Sequence, residues 1–74
     1  MSQPSYNLQS VRFFAQLNDA AIMIDDEGNI AAQRRHYTKD GMLVVRHAPE
    51  RGEFYPLAIW AKALQDERAI DLLA

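Results

Sequence analysis

Cysteine is absent from this chain of 74 residues, and glycine and proline occur only three times each. Without cysteine, the chain can form neither disulfides nor the thiolate ligand sets of structural zinc sites. The absence also suits a reducing compartment, so we expect a cytoplasmic protein. A chain of this length encloses one small core, so the sequence predicts a single domain over 1–74, with 1–4 as a frayed lead-in. Such a domain depends on close packing or on a second subunit for its stability.

Long hydrophobic runs are also missing. The strictly apolar stretches are only a few residues long, far short of the roughly 20 residues that a membrane-spanning helix needs. No N-terminal segment joins a basic head to an apolar stretch, as a secretory signal would. We therefore expect neither membrane insertion nor secretion.

What the chain does contain is enough apolar side chain for a folded core, 49% of its residues, and an uneven distribution of charge. The segment 30–47 holds four basic residues against Asp40 alone, a net charge of +3, together with both histidines. The rest of the chain has four basic residues against nine acidic ones, a net charge of −5. The sequence thus predicts a basic element on an acidic body.

The first secondary-structure element is predicted to be a helix. Leu8, Val11 and Phe14 fall at helical spacing, which predicts a helix over Ser5–Leu17 that Ser5 or Asn7 caps. A final helix is predicted within 54–74, where Gln65–Arg68 is either a solvent-facing stretch or a break into two short helices.

Between the helices, two turns that end in glycine predict an antiparallel meander. These turns, Asp25–Gly28 and Thr38–Gly41, separate strands predicted at about 21–25, 29–37 and 42–47. The fold class predicted from the sequence is therefore α+β, a small single domain in the order α-β-β-β-α, with both helices on one face of the sheet.

The register of the second turn stays open at this stage. A three-residue loop with a glycine bulge would set Arg34 opposite Arg46, whereas a four-residue loop would set Gln33 opposite Arg46. In the first register, Arg35 and Tyr37 share a face, and the two facing arginines would need an anion or an acidic neighbour.

Residues that carry chemistry are few and poorly spaced. The sequence has no cysteine nucleophile, Gly-x-Ser-x-Gly elbow or phosphate-binding glycine loop, so we predict no enzymatic activity and no cofactor. His36 and His47 lack the spacing of metal ligands. The acidic run Asp25–Glu27 lacks the alternating oxygen ligands of a calcium loop, so turn formation explains it better and we predict no metal site.

Two features predict binding to another protein. The apolar third strand would lie at the sheet edge without proline or lysine to block pairing, so it could dimerise edge to edge or capture a partner strand. The segment Glu53–Trp60 supplies large aromatic side chains of the kind that anchor interfaces, although Trp60 could instead fill the core. The predicted partner-binding residues are Met42, Val44, Arg46, Phe54, Tyr55 and Trp60.

The basic segment permits a second interpretation. Arginines beside an aromatic side chain on a sheet are suited to hold phosphates and to stack a base. The residues for such a role are Arg34, Arg35, Tyr37, Lys39 and Arg46. The pI of about 5.5 opposes nucleic-acid binding, and an ordinary solvated face explains the same charges.

We therefore expect a non-enzymatic protein–protein interaction module that acts as a homodimer and masks a surface of a host macromolecule, as a small accessory regulator or inhibitor. By analogy of size and form alone, such domains include some that bacteriophages encode. The alternatives are a nucleic-acid-binding regulator that uses the basic segment 30–47 and a small structural or assembly subunit.

Overall fold

The computed structural model describes residues 6–44 and 48–74, and it confirms the predicted α+β class. Helix α1 spans Leu8–Leu17 and helix α2 spans Leu57–Gln65. Between them lie four short strands: β1 (Ala20–Ile24), β2 (Ile30–Arg34), β3 (His36–Tyr37) and β4 (Leu43–Val44). Two 3₁₀ turns, Arg51–Glu53 and Ala69–Leu72, flank α2.

Helix α1 begins where its capping residues place it. The Asn7 side chain accepts a hydrogen bond from the Ser10 amide at 3.2 Å, and the Ser10 hydroxyl accepts one from the Asn7 amide at 3.0 Å. This reciprocal capping box satisfies two backbone donors that have no partner within the helix. Asn7 is thus the cap, while the other candidate, Ser5, lies outside the described residues.

The sheet differs from the predicted three-stranded meander. β1 pairs with β2 and β3 pairs with β4, both antiparallel, so the predicted middle strand 29–37 is divided at Arg35. The division has a simple cause. The chain turns from α1 into β1 at Asp19, whose φ is 49°, and β1 therefore offers no partner beyond the Ala20–Arg34 pair. The last predicted strand, 42–47, is described only as far as Val44.

The second edge of β2 is occupied by segments from the C-terminal half of the chain. Ile30 and Tyr55 exchange two backbone hydrogen bonds of 2.8 Å each. The Ala74 amide donates to the Ala32 carbonyl at 2.8 Å, and the Arg34 amide donates to the Ala74 carbonyl at 3.1 Å. β2 is consequently bonded on both sides, as a central strand is.

The core lies between one face of the β1–β2 sheet and the two helices, as predicted. Trp60 of α2 is fully buried against Val11 of α1 and Ile30 of β2, and its indole N–H donates to the Ile30 carbonyl at 2.9 Å. The rings of Phe14 and Tyr55 pack around it, with centroids 6.1 and 6.4 Å away. Trp60 is therefore a core residue, which is one of the two alternatives that the sequence left open for it, and its side chain exposes no surface to a partner.

The final predicted helix is broken, which was one of the two alternatives for Gln65–Arg68. Helix α2 ends at Gln65, and Glu67 takes a left-handed conformation with φ of 58° before the 3₁₀ turn begins at Ala69. Pro56 caps the start of α2, where its missing amide hydrogen costs the helix no bond.

Candidate interaction surface

The hairpin of β3 and β4 turns through a three-residue loop. The Thr38 amide donates to the Met42 carbonyl at 2.8 Å, and the Gly41 amide donates to the Thr38 carbonyl at 3.0 Å. Gly41 has φ of 82°, which is the left-handed conformation of a glycine bulge. His36 lies opposite Val44, which is the first of the two registers left open by the sequence.

Both faces of this hairpin expose apolar side chains. The exposed fractions are 50% for Tyr37, 67% for Met42, 54% for Leu43 and 41% for Val44. Because Tyr37 pairs with Leu43, these two share one face, while Met42 and Val44 lie on the other. Exposed apolar side chains on two faces of a short hairpin are typical of a contact surface rather than of a core strand.

On the side of β4 that faces away from β3, the backbone groups have no partner within the hairpin. The Thr38 amide donates to the Met42 carbonyl, so the alternation of antiparallel pairing turns the N–H and C=O of Leu43 outward. Within residues 6–44 and 48–74, no backbone group bonds to Leu43 on that side. The predicted edge is thus present as far as the structure describes it.

Among the residues that the structure describes, the carboxylate of Asp19 connects the hairpin to the rest of the domain. Its two oxygens accept hydrogen bonds from the Arg35 guanidinium at 3.1 Å and from the Tyr37 hydroxyl at 2.7 Å. The Asp19 backbone carbonyl also accepts a bond from the Arg35 amide at 2.9 Å. Three bonds therefore converge on one residue at the junction between α1 and β1.

The ionisation of this cluster follows from its hydrogen bonds. The bond from Tyr37, and after it the bond from Arg35, stabilises the carboxylate and holds the pKa of Asp19 below its usual 3.8. The same bond to Asp19 raises the pKa of Tyr37 above its usual 10.0. The Arg35–Asp19 ion pair is exposed, with 43% and 54% of the two side chains accessible, so its role is to orient the hairpin more than to stabilise the fold.

The predicted nucleic-acid residues are only partly available as free cations. Arg35 and Tyr37 share the carboxylate of Asp19, which places a negative charge between them. The side chains of Arg34 and Lys39 make no ion pair with any residue that the structure describes. Arg46 lies outside the described residues, so its predicted place opposite Arg34 has no counterpart here.

The predicted partner-binding residues do not form one surface. Met42 and Val44 lie on the hairpin that follows the end of β2, whereas Tyr55 pairs with Ile30 at the start of β2. These two positions are separated by the length of β2, about 16 Å. Phe54 is half-buried beside the β1–β2 turn, and Trp60 is in the core.

A concavity of about 340 Å³ lies at the β1–β2 turn, and Phe54 forms part of its wall. Its polar lining consists of Asp25, Asp26, Glu27, Asn29 and Arg51. The Asp25 carboxylate accepts bonds from the amides of Glu27 at 3.0 Å and Asn29 at 2.8 Å, so it shapes the turn. Across 6–44 and 48–74, no cluster of potential ligands is arranged to hold a metal ion.

Sequence reasoning missed the role of Asp19, which lies just beyond the predicted helix Ser5–Leu17. The signal was available in the first turn. Because Asp25 pairs with Asn29 across a three-residue loop, counting back along both strands sets Asp19 opposite Arg35. A register read from one turn therefore identifies the residue that anchors the next hairpin.

Comparison with known proteins adds no functional information, because no protein-family model, curated protein or solved structure matches the chain. Neither α1 nor α2, nor any other helix of the described residues, has the length and apolar character to cross a bilayer.

Proposed function

We propose that this protein is a non-enzymatic protein–protein interaction module and that the β3–β4 hairpin is its contact surface. The observation that supports this is the hairpin itself, which exposes Tyr37, Met42, Leu43 and Val44 on two faces beside a free strand edge. Large apolar side chains next to unpaired backbone groups favour association with another strand.

The first partner in this proposal is a second copy of the chain. Two β4 edges can pair antiparallel about a two-fold axis, since such an arrangement uses the same groups of both copies. Dimerisation would also stabilise the fold, because a domain with so small a core gains stability from a second subunit.

The second partner is a protein with an acidic surface, which the homodimer would mask as an accessory regulator or inhibitor. Arg34 and Lys39 place positive charge beside the apolar residues without an ion pair in the described part of the chain. Small size and absence of cysteine are typical of such regulators, including some from bacteriophages, and we propose the cytoplasm as the place of action.

Light scattering at micromolar concentration tests the homodimer. The parent chain should have the mass of a dimer, and Leu43→Lys should have the mass of a monomer, because a charged side chain on an edge strand opposes pairing. Leu17→Lys is the matched control, since Leu17 is exposed on α1 and the same change there should leave the dimer intact. A parent chain that is monomeric throughout, or a Leu43→Lys variant that still dimerises, contradicts the proposal.

Affinity capture with the same three chains tests the acidic partner. One protein should co-purify with the parent chain and with Leu17→Lys and be lost with Leu43→Lys. We expect no gel shift with DNA or RNA at physiological salt. A shift of sub-micromolar affinity that weakens steeply as salt rises would instead support a nucleic-acid-binding regulator. Symmetric association beyond a dimer would support an assembly subunit.

A further inference from the structure

The two edges of the β1–β2 sheet are occupied differently. Two bonds define the ladder: the Arg35 amide donates to the Asp19 carbonyl, and the Asp25 amide donates to the Asn29 carbonyl. Alternation then turns the backbone groups of Ala21 and Met23 toward β2. It turns those of Ala20, Ile22 and Ile24 outward, along the free side of β1.

On β2, each of the three residues whose backbone groups face outward forms at least one bond to the C-terminal half of the chain. Ile30 bonds to Tyr55, and Ala32 and Arg34 bond to Ala74. On β1, none of the described residues forms a backbone bond with the outward groups of Ala20, Ile22 or Ile24. Within 6–44 and 48–74, the chain thus covers the β2 edge of this sheet and leaves the β1 edge unpaired.

A groove of about 250 Å³ lies between α1 and β1, and its lining includes the edge residues Ala20 and Ile22 as well as Arg35, whose charge is paired with Asp19. Ala15 and Ala20 line it with small side chains, and Arg12 and Gln16 lie along its helical wall, four residues apart on one helix face. The Arg12 guanidinium makes neither a hydrogen bond nor an ion pair with any described residue. The groove therefore combines a row of backbone donors and acceptors with an uncompensated positive charge.

We propose that the edge of β1 binds an extended, acidic peptide segment of another protein by strand addition. The peptide backbone bonds to Ala20, Ile22 and Ile24, and a carboxylate of the peptide pairs with Arg12. The groove reaches Arg35, which precedes β3, but the inference rests on the edge of β1 and on Arg12 and does not depend on the function proposed for the β3–β4 hairpin.

Two other occupants fit the groove less well. A second copy paired antiparallel about Ile22 would bring both Arg12 side chains to the same central position, where like charges repel. A nucleic-acid backbone supplies phosphate acceptors but not the alternating donors and acceptors that a strand edge requires. An acidic peptide can bond to the outward backbone groups of β1 and also neutralise the charge of Arg12.

Titration of the ¹⁵N-labelled full chain with a short blocked peptide tests the proposal. The peptide carries glutamate at its centre with valine and threonine on both sides, and a matched peptide carries lysine instead. The amides of Ala20, Ile22 and Ile24 should shift with the glutamate peptide, which should bind about tenfold more tightly than the lysine peptide. Arg12→Glu should reverse that preference.

A second variant separates the backbone contribution from the charge. Ile24→Pro removes an outward N–H without removing a bond to β2, and proline is accepted on an edge strand in this position. Ile24→Pro should weaken binding of the glutamate peptide about fivefold, because that is the loss in affinity expected when one hydrogen bond is removed. Ile24→Ala keeps the N–H and should leave the affinity unchanged. Equal binding of both peptides, shifts confined to β4, or no binding of either peptide at millimolar concentration would overturn the proposal.

Discussion

The two hairpins that the structure describes have turns of the same type but differ in the residues that flank those turns. In each, a polar residue begins a three-residue loop, with Asp25 in the first and Thr38 in the second. The side-chain oxygen of each accepts a bond from the amide four residues later. Each loop ends in a left-handed glycine, with φ of 83° at Gly28 and 82° at Gly41.

Beyond the turn, the two hairpins separate into a buried and an exposed one. The first is flanked by Ile30, Ala31 and Ala32, which are all buried, and its strands are five residues long. In the second, the described strand residues are His36 and Tyr37 of β3 and Leu43 and Val44 of β4, and all four are exposed. The same turn chemistry thus serves a core element and a surface element, and the flanking side chains decide which of the two it becomes.

The largest expected effect on the free energy of unfolding comes from the core beneath the first hairpin. Trp60→Ala should lower the free energy of unfolding by about 3–5 kcal/mol, because it opens a cavity beneath the first hairpin and removes a buried donor from the Ile30 carbonyl. Leu43→Ala, in the second hairpin, should cost less than about 0.5 kcal/mol because Leu43 is exposed. Urea denaturation followed by circular dichroism measures both.

If Trp60→Ala does not fold, Trp60→Phe keeps the comparison measurable. It preserves most of the ring but lacks the indole N–H, and it should still cost more than Leu43→Ala. Equal costs for the two sites would mean that the second hairpin is as much a part of the core as the first.

A smaller effect is expected at the two turn glycines. Alanine in a left-handed conformation costs about 1–2 kcal/mol, and neither glycine has an atom within 4 Å of an added Cβ, so the cost is one of backbone conformation alone. Gly28→Ala should lower the free energy of global unfolding by the full amount. Gly41→Ala should lower it by less, because the short second hairpin can open while the core stays folded.

Hydrogen exchange supplies the local measurement for this pair. The Thr38 and Met42 amides should lose protection in Gly41→Ala and keep it in Gly28→Ala. Gly52→Ala is the control, since Gly52 has no left-handed φ and open space around it, and its effect should be close to zero. Identical global costs at 28 and 41 would contradict independent opening of the second hairpin.

The smallest effect is a pH dependence that belongs to the second hairpin alone. The pKa of Asp19 is lowered in the folded state, so its contribution is complete above about pH 4 and is lost as the pH falls through the folded pKa. The pKa of Tyr37 is raised, so its contribution is complete below about pH 10 and is lost as the pH rises through the folded pKa. The attachment of the hairpin should therefore be constant between these limits.

Chemical shifts of the Tyr37 ring and the neighbouring hairpin amides report this dependence. They should change below about pH 4 in the parent chain and stay flat there in Asp19→Asn, which has no carboxylate to protonate. The amides of Asn29 and Ala31 in the first hairpin serve as internal reference. A parallel acid transition in both hairpins would show that Asp19 acts on the whole domain.

The sequence predicted those structural elements that are determined by residues close together in the chain. Helical spacing, the Asn7 cap and the two glycine turns predicted the order of elements and the α+β class, because each depends on residues close together in the chain. It did not predict the division at Arg35, because that depends on where β1 begins after the left-handed Asp19. It also left Trp60 undecided between core and surface, since composition does not show which aromatic side chain the helices will enclose.

Only the local part of the candidate surface could be predicted from the sequence. Val44 lies on β4 and Met42 directly precedes it, and both positions follow from the turn before them. Phe54 and Tyr55 were grouped with them because they are aromatic, yet they lie at the other end of β2. Proximity in space between segments of different hairpins requires the register, and one residue of register moves each side chain to the opposite face.

Attachment through Asp19 has a consequence for redesign. Among the described residues, the second hairpin joins the domain through the chain at Arg35 and through the two side-chain bonds to Asp19. A hairpin of different specificity that keeps Arg35 and Tyr37 and the three-residue loop should graft onto this scaffold without repacking Trp60. The domain thereby offers a small, disulfide-free carrier on which binding loops of other sequence can be displayed.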